Sequence, residues 1–316
     1  MALLLTEDDV LRIVTMPMAL EAVETAQRAL GQASATNHPR RRHRTEKGLL
    51  HVMDAALPGL GVMGLKAYTT FRGDVNRFHV LLYSSDDGTL QAVVEADHLG
   101  RYRTGAASGV ATRWLARPDA RTLGVLGAGR QAVTQVLAVC AVRPIETVRV
   151  WSRSPDRAEA FCRGLAGIAV SRASSAEHTV RGADVVVTAT TSREPVLRSE
   201  WLSDGVHVNA MGANSLQKRE IDRASVLRAS LVAVDSVGQA KVESAALVDV
   251  AQSGQRDWSD IADLGDIIAG KTPGRTSPSQ ITLFFSHGIA AWDLALAKRV
   301  LDEARHRDLG TEISTL

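Results

Sequence analysis

Apolar positions recur at helical spacing over residues 18–30, and Thr6-Glu-Asp-Asp resembles a helix cap leading into residues 10–14, so two helices are expected to open the chain. From residue 49 to 99 the pattern shortens to apolar runs at 49–53, 64–69 and 79–83. Pro58-Gly59, Gly73-Asp74 and Asp86-Asp87-Gly88 punctuate them, which predicts an antiparallel, β-rich segment. The Asp-Gly before Thr89 signals a hairpin into residues 89–94. Residues 96–115 read as a helix despite Gly100, Gly105 and Gly109, which predict close approach of another group to that helix. Beyond Pro118, strand-like runs at 122–126, 148–151, 169–170, 184–188, 206–210 and 231–234 alternate with helix-compatible sequence, the pattern of a parallel sheet. Residues 277–285 are expected to form a late turn. Residues 288–307 then form a long amphipathic helix with Ile289, Trp292, Leu296 and Val300 on one face, expected to return to the first domain.

The stretch from Leu123 to Ala132 runs a short strand into Gly-x-Gly-x-x-Ala and then into a helix over 131–142. Gly127 permits a tight turn, Gly129 lets backbone approach a pyrophosphate, and Ala132 allows helix to pack on strand, with Arg130 and Gln131 at the helix start. The expected fold class is therefore α/β: a Rossmann-type doubly wound parallel sheet over 116–289, with a second α+β domain from 1–115 plus 290–316. The two are expected to be closely associated, with the active site in their cleft. At the end of the second strand of such a sheet an acidic side chain would bond the ribose of NAD; here Ser152 stands in that position and Arg153 follows, a guanidinium suited to a 2′-phosphate. NADP(H) is thus favoured, with NAD(H) possible. Later strand ends nominate Thr188, Thr190, Val208 and Met211 as further cofactor contacts by position alone.

Composition narrows the class without changing it. The 316 residues are 45% hydrophobic and 23% charged with a net charge of +2, enough to bury a large core but giving no single-sign field for nucleic acid or a membrane surface. Residues 40–44 form the one arginine-rich run and read as a solvated loop. Cys140 and Cys162 have no ligand partners at zinc spacing, so no metal is expected and a reducing, cytoplasmic setting follows. The N-terminus carries neither a basic leader nor a long apolar run.

Several segments together resemble the ornithine cyclodeaminase and mu-crystallin family over nearly the whole sequence. They are Met63-Gly-Leu-Lys66, Arg103-Thr-Gly-Ala-Ala-Ser, Leu126-Gly-Ala-Gly-Arg-Gln, Val208-Asn-Ala-Met-Gly-Ala-Asn214, and the run from Arg275 through Phe285-Ser-His-Gly288. The resemblance implies an N-terminal dimerisation and substrate domain, completed by the C-terminal helix, and a homodimer. It assigns Arg103 to substrate binding beside the nicotinamide, Lys66 as the active-site lysine and Arg40 as a further substrate arginine, with Arg42 a rival for that role. Such cations suit the carboxylate of a small amino or imino acid. Asn214, counted with Lys66 and Arg103 among the catalytic residues, and Ser286 or His287 would line the nicotinamide end. Two departures matter: Asn214 stands where cyclodeaminases carry a catalytic aspartate, and His51 where they carry a glutamate, although a histidine packed on a strand is the simpler account of His51. A neutral amide at 214 cannot take a proton from a substrate amine. The expected activity is hydride transfer at the α-carbon of an amino or cyclic imino acid, as an imine or ketimine reductase or an amino-acid dehydrogenase. Ornithine cyclodeaminase and a mu-crystallin-like ligand-binding protein are the alternatives.

Overall fold

The computed structural model describes residues 1–71, 76–165 and 167–314; the Gly73-Asp74 turn expected from sequence lies outside the described residues. The chain begins with strand β1 (Ala2–Leu5), helices α1 (Glu7–Ile13) and α2 (Met16–Gly31), and strands β2 (Thr36–Asn37), β3 (Arg41–Arg44), β4 (Gly48–Leu57), β5 (Val62–Phe71), β6 (Arg77–Ser84) and β7 (Leu90–Glu95). Helix α3 (Asp97–Leu115) leads to β8 (Thr122–Leu126), α4 (Arg130–Val142), β9 (Thr147–Trp151), α5 (Pro155–Gly164), β10 (Val170–Arg172), α6 (Ala176–Val180) and β11 (Val185–Thr188). There follow β12 (His207–Ala210), α7 (Arg223–Arg228), β13 (Leu231–Val234), α8 (Val237–Glu243), α9 (Ala245–Gln252), β14 (Ile261–Asp263), α10 (Leu264–Ile268) and β15 (Thr282–Phe285). Helix α11 (Ala290–His306) and β16 (Thr311–Ile313) close the chain.

Two compact units result: Met1–Arg103 with Ile289–Leu316, and Thr104–Gly288. The first boundary falls inside α3 rather than after its last residue, where the sequence put it. In the first unit the strands run in the order β16-β1-β7-β6-β5-β4-β2, with β3 also paired to β4. The expected antiparallel pairing holds from β2 to β7, whereas β1, unforeseen, runs parallel to β7. Strand alternation puts Met53, Ala55 and Leu57 of β4 on buried positions, and α11 packs across β4, β5 and β6 while also meeting α2. Trp292, Leu296 and Val300 are fully buried, as the stripe on α11 requires. The arginine run expected as a solvated loop is mostly strand β3, exposed along its length, with Arg40 just outside it and buried.

In the second unit every strand pair is parallel, in the order β10-β9-β8-β11-β12-β15-β13-β14. The order reverses between β8 and β11, which makes the doubly wound switch point. Residues 282–285 are a correction: Thr282 and the apolar Leu283, Phe284 and Phe285, all buried, join the sheet between β12 and β13, where only a turn was expected. Their four-residue length behind a Ser/Pro-rich segment hid them. Helix α3 ends under Arg143, whose guanidinium donates to the carbonyls of Thr112, Arg113, Ala116 and Arg117 at 2.8–3.1 Å and so ties together the last turn of the helix and the residues that follow it.

Candidate active site

At the carboxyl ends of β8, β9 and β11 the second unit opens into a cleft of about 520 Å³, lined by Gly127, Gly129, the 151–154 turn with Arg157, and Ala189 to Ser192. Gly127 has φ +119°, and a Cβ there would stand 2.4 Å from the Ala189 carbonyl oxygen, so sterics admit only glycine. Gly129 caps α4 without a side-chain hydrogen bond, and a Cβ on it would meet nothing within 4 Å. Helix α4 thus presents its N-terminus to the cleft with no side chain at Gly127 or Gly129 to obstruct it. The Ser152 and Arg153 turn stands alongside, with Arg153 and Arg157 exposed. These residues fit a dinucleotide: the N-terminus of α4 would hold its pyrophosphate, and Arg153 and Arg157 would offer guanidinium groups to its adenosine end.

The sequence candidates do not all reach this cleft. Thr190 lines it, while Arg130 and Gln131 form the first turn of α4. Thr188 is fully buried, and its hydroxyl donates to Glu220 at 2.9 Å. Val208 is a correction: it lies mid-strand in β12, fully buried in the hydrophobic cluster with Leu126, Val186 and Leu283, so it supports the sheet and offers nothing to a ligand. Met211, one residue past the strand, is half-buried against the apolar cluster of Val125 and Ala132. Ser286 and His287 follow β15 and are buried. The backbone amides of His287 and Gly288 both donate to Asp235 Oδ2 at 2.6 Å, and His287 Nδ1 lies 3.3 Å from Oδ1. Asp235 escaped the sequence reading, although an acid directly ending an apolar strand was a visible signal. Asn214 is half-buried beyond β12, where its Oδ1 accepts from Lys218 Nζ at 3.4 Å.

In the first unit Lys66, Arg103 and Arg40 share one buried neighbourhood. Lys66 is 2% exposed, and its Nζ donates to Asp293 Oδ1 at 2.6 Å; Arg103 Nε donates to the same oxygen at 3.0 Å. Burial lowers the Lys66 ammonium to about 8, Asp293 opposing and Arg103 and Arg40 reinforcing the shift. Gly100 makes room for it, since a Cβ there would stand 3.0 Å from Nζ. Arg40 Nε reaches Met53 Sδ at 3.3 Å and its guanidinium lies 5.9 Å from the Tyr68 ring centre, whereas Arg42 is exposed, which separates the two rivals. The cross-strand row His51, Tyr68 and Phe78 stacks beside these cations, with His51 and Tyr68 4.1 Å apart and 2° from parallel. Burial, then Arg42 and Arg40, lower His51 to about 4, so it is neutral at physiological pH. The sequence missed Asp293, an acid set among the apolar positions of α11.

The doubly wound sheet with its glycine-lined cleft places the chain in the class of dinucleotide-binding proteins, and the first unit carries buried cations gathered on one carboxylate. The sequence profile of the ornithine cyclodeaminase/mu-crystallin family matches residues 2–308. The chain belongs to that family. It is 33% identical over 318 residues to an alanine dehydrogenase of Archaeoglobus fulgidus, covering 98% of each chain. An archaeal alanine dehydrogenase dimer with bound NAD superposes with TM-score 0.93 at 35% identity, covering 100% of this chain and 99% of that one. The Δ1-pyrroline-2-carboxylate reductase of Thermococcus litoralis, in complex with NADH and L-proline, gives TM-score 0.92 at 33% identity over 98% of this chain and 100% of that one. Among the described residues no group of three or more His, Cys, Asp or Glu side chains could hold a metal, and no helix is long and apolar enough to cross a membrane.

Proposed function

We propose that the protein is an NAD(P)-dependent oxidoreductase that interconverts an imino acid and its amino acid at the α-carbon. The observation that carries this reading is the buried Lys66–Asp293–Arg103 cluster with Arg40 beside it, in a chain that also builds a dinucleotide cleft. Arg103 and Arg40 hold the substrate carboxylate. Lys66, poised near neutral pH, gives a proton to the substrate nitrogen as the imine is reduced and takes one back in the reverse direction. The bound coenzyme supplies or receives the hydride at its nicotinamide ring. The amide of Asn214, already accepting from Lys218, has no carboxylate to take a proton from a substrate amine, which disfavours cyclodeamination.

Arg153 and Arg157 at the adenosine end, with Ser152 where an acid would prefer the ribose of NAD, favour NADP(H) over NAD(H). A homodimer through the first unit is supported by Leu50, Met63 and Phe71, exposed apolar side chains on the sheet face opposite Lys66. The free thiols Cys140 and Cys162, both raised in pKa by burial, suit a reducing cytoplasm.

The test is turnover of NADPH and NADH against cyclic imines, keto acids with amines, alanine and ornithine. Coenzyme consumption with an imino acid, weakened about tenfold or more for NADPH but little for NADH in Arg153→Ala, is expected. Ammonia release from ornithine without net coenzyme change would replace the proposal by cyclodeamination, and tight coenzyme binding with no turnover of any substrate would make the protein a ligand carrier.

A further inference from the structure

Glu220, in the segment between β12 and α7, is 2% exposed, and its carboxylate gathers four donors. Oε1 accepts from the Thr190 backbone amide at 2.6 Å and the Thr190 hydroxyl at 2.7 Å, while Oε2 accepts from the Gly212 amide at 2.6 Å and the Thr188 hydroxyl at 2.9 Å. Its own carbonyl accepts from the amides of Val196 and Leu197 at 2.8 and 3.0 Å. One buried side chain thereby ties the chain leaving β11 to the chain leaving β12. Each carboxylate oxygen faces one backbone N–H, a group that can only donate, so the arrangement requires an acceptor on both sides.

The peptide held in this way is a wall of the dinucleotide cleft. Ala189 and Thr190 line it, and they are pressed between two glycines. A Cβ on Gly127 would stand 2.4 Å from the Ala189 oxygen, and one on Gly212 would stand 2.2 Å from the Thr190 oxygen and 2.5 Å from Glu220 Oε1. We propose that Glu220 is the positioning residue that fixes the Ala189–Thr190 wall at the height the nicotinamide coenzyme requires, acting through Thr188, Thr190 and Gly212 without touching the ligand. This rests on the dinucleotide reading of the cleft. A purely structural staple would change stability and leave the coenzyme affinity of the folded protein unchanged.

Glu220→Gln keeps the volume but offers one acceptor oxygen, so whichever way the amide turns, the N–H of Thr190 or of Gly212 faces a second donor. The dissociation constants of NADPH and NADH, titrated by their fluorescence, are expected to rise about tenfold or more. In the coenzyme-free protein, hydrogen exchange over residues 189–192 and at 212 is expected to accelerate, with the far-ultraviolet circular dichroism unchanged. Thr188→Val removes one donor at a buried position outside the cleft lining. It is expected to raise the same constants about two- to fivefold, and that rise should vanish in the E220Q background. Wild-type affinity in E220Q, or independent multiplication of the two effects, overturns the proposal. Should E220Q not fold, T188V alone decides it, an unchanged affinity being the overturning result. Failure of the wild-type protein to bind either coenzyme would instead overturn the dinucleotide reading beneath it.

Discussion

Burial lowers the Lys66 ammonium, Asp293 raises it, and Arg103 and Arg40 lower it further, leaving it at about 8. Under the proposed mechanism the protonated lysine would be the proton donor in the reducing direction, so kcat/KM for imine reduction is expected to be flat below pH 8 and to fall above it. Amine oxidation needs the neutral amine and should rise through the same range. Lys66→Met is expected to remove this inflection from both profiles and to lower kcat/KM by about 10²- to 10⁴-fold. An inflection near 8 that survives in K66M would assign it to another group. Lys66 was legible in sequence through the motif around it, but its partner was not. Asp293 is 227 residues away, and only the fold joins them. The sole local hint was an acid between Trp292 and Leu294 on a helix otherwise buried along that stripe.

Helix α3 shows the same division at the level of an element. Its glycines announced close approach, and two of them have it: Gly100 clears the Lys66 ammonium, and a Cβ on Gly105 would stand 2.4 Å from the Thr134 carbonyl oxygen of α4. What lies against them was not readable from spacing. Nor was the end of the helix, which has no glycine cap and is closed by Arg143, a residue reached only after β8 and α4 have folded back. The planar guanidinium meets four carbonyls that an ammonium cannot span together. Arg143→Lys is therefore expected to lower unfolding stability by about 1–3 kcal/mol, measured by urea denaturation with an unchanged slope. Strand β15 was hidden for a related reason: a threonine and three apolar residues become a strand only because β12 and β13 stand ready to pair on both sides.

For the molecule as a whole, the alternation of strand and helix was strong enough to specify the α/β class, because both periodicities are set by backbone geometry. Acid sensitivity depends instead on tertiary burial. His207, fully buried between Thr282 Oγ1 at 2.9 Å and Asn209 Oδ1 at 3.2 Å, is pushed down to about 3 by burial and by Arg275, and His51 to about 4. Below pH 6.5 the unfolded chain protonates both imidazoles while the folded chain does not, so stability falls as pH drops from 6.5 toward 4 and is unaffected by them above 6.5. Each contributes a slope of about 1.4 kcal/mol per pH unit. His207→Gln is expected to halve their joint contribution to the loss between pH 6 and 5, read from denaturation midpoints. A slope unchanged from wild type would show that His207 is not protonated on unfolding there. The two sides of the dinucleotide cleft differ in how they can evolve. Gly127 and Gly212 meet the carbonyl oxygens of Ala189 and Thr190 at backbone contact, so a side chain at either glycine position would displace that wall. Arg153 and Arg157 stand exposed on the opposite side and carry little of the fold. Under the proposed reading, substitution of these two exposed arginines would therefore alter coenzyme preference while leaving the glycine-lined wall of the cleft undisturbed.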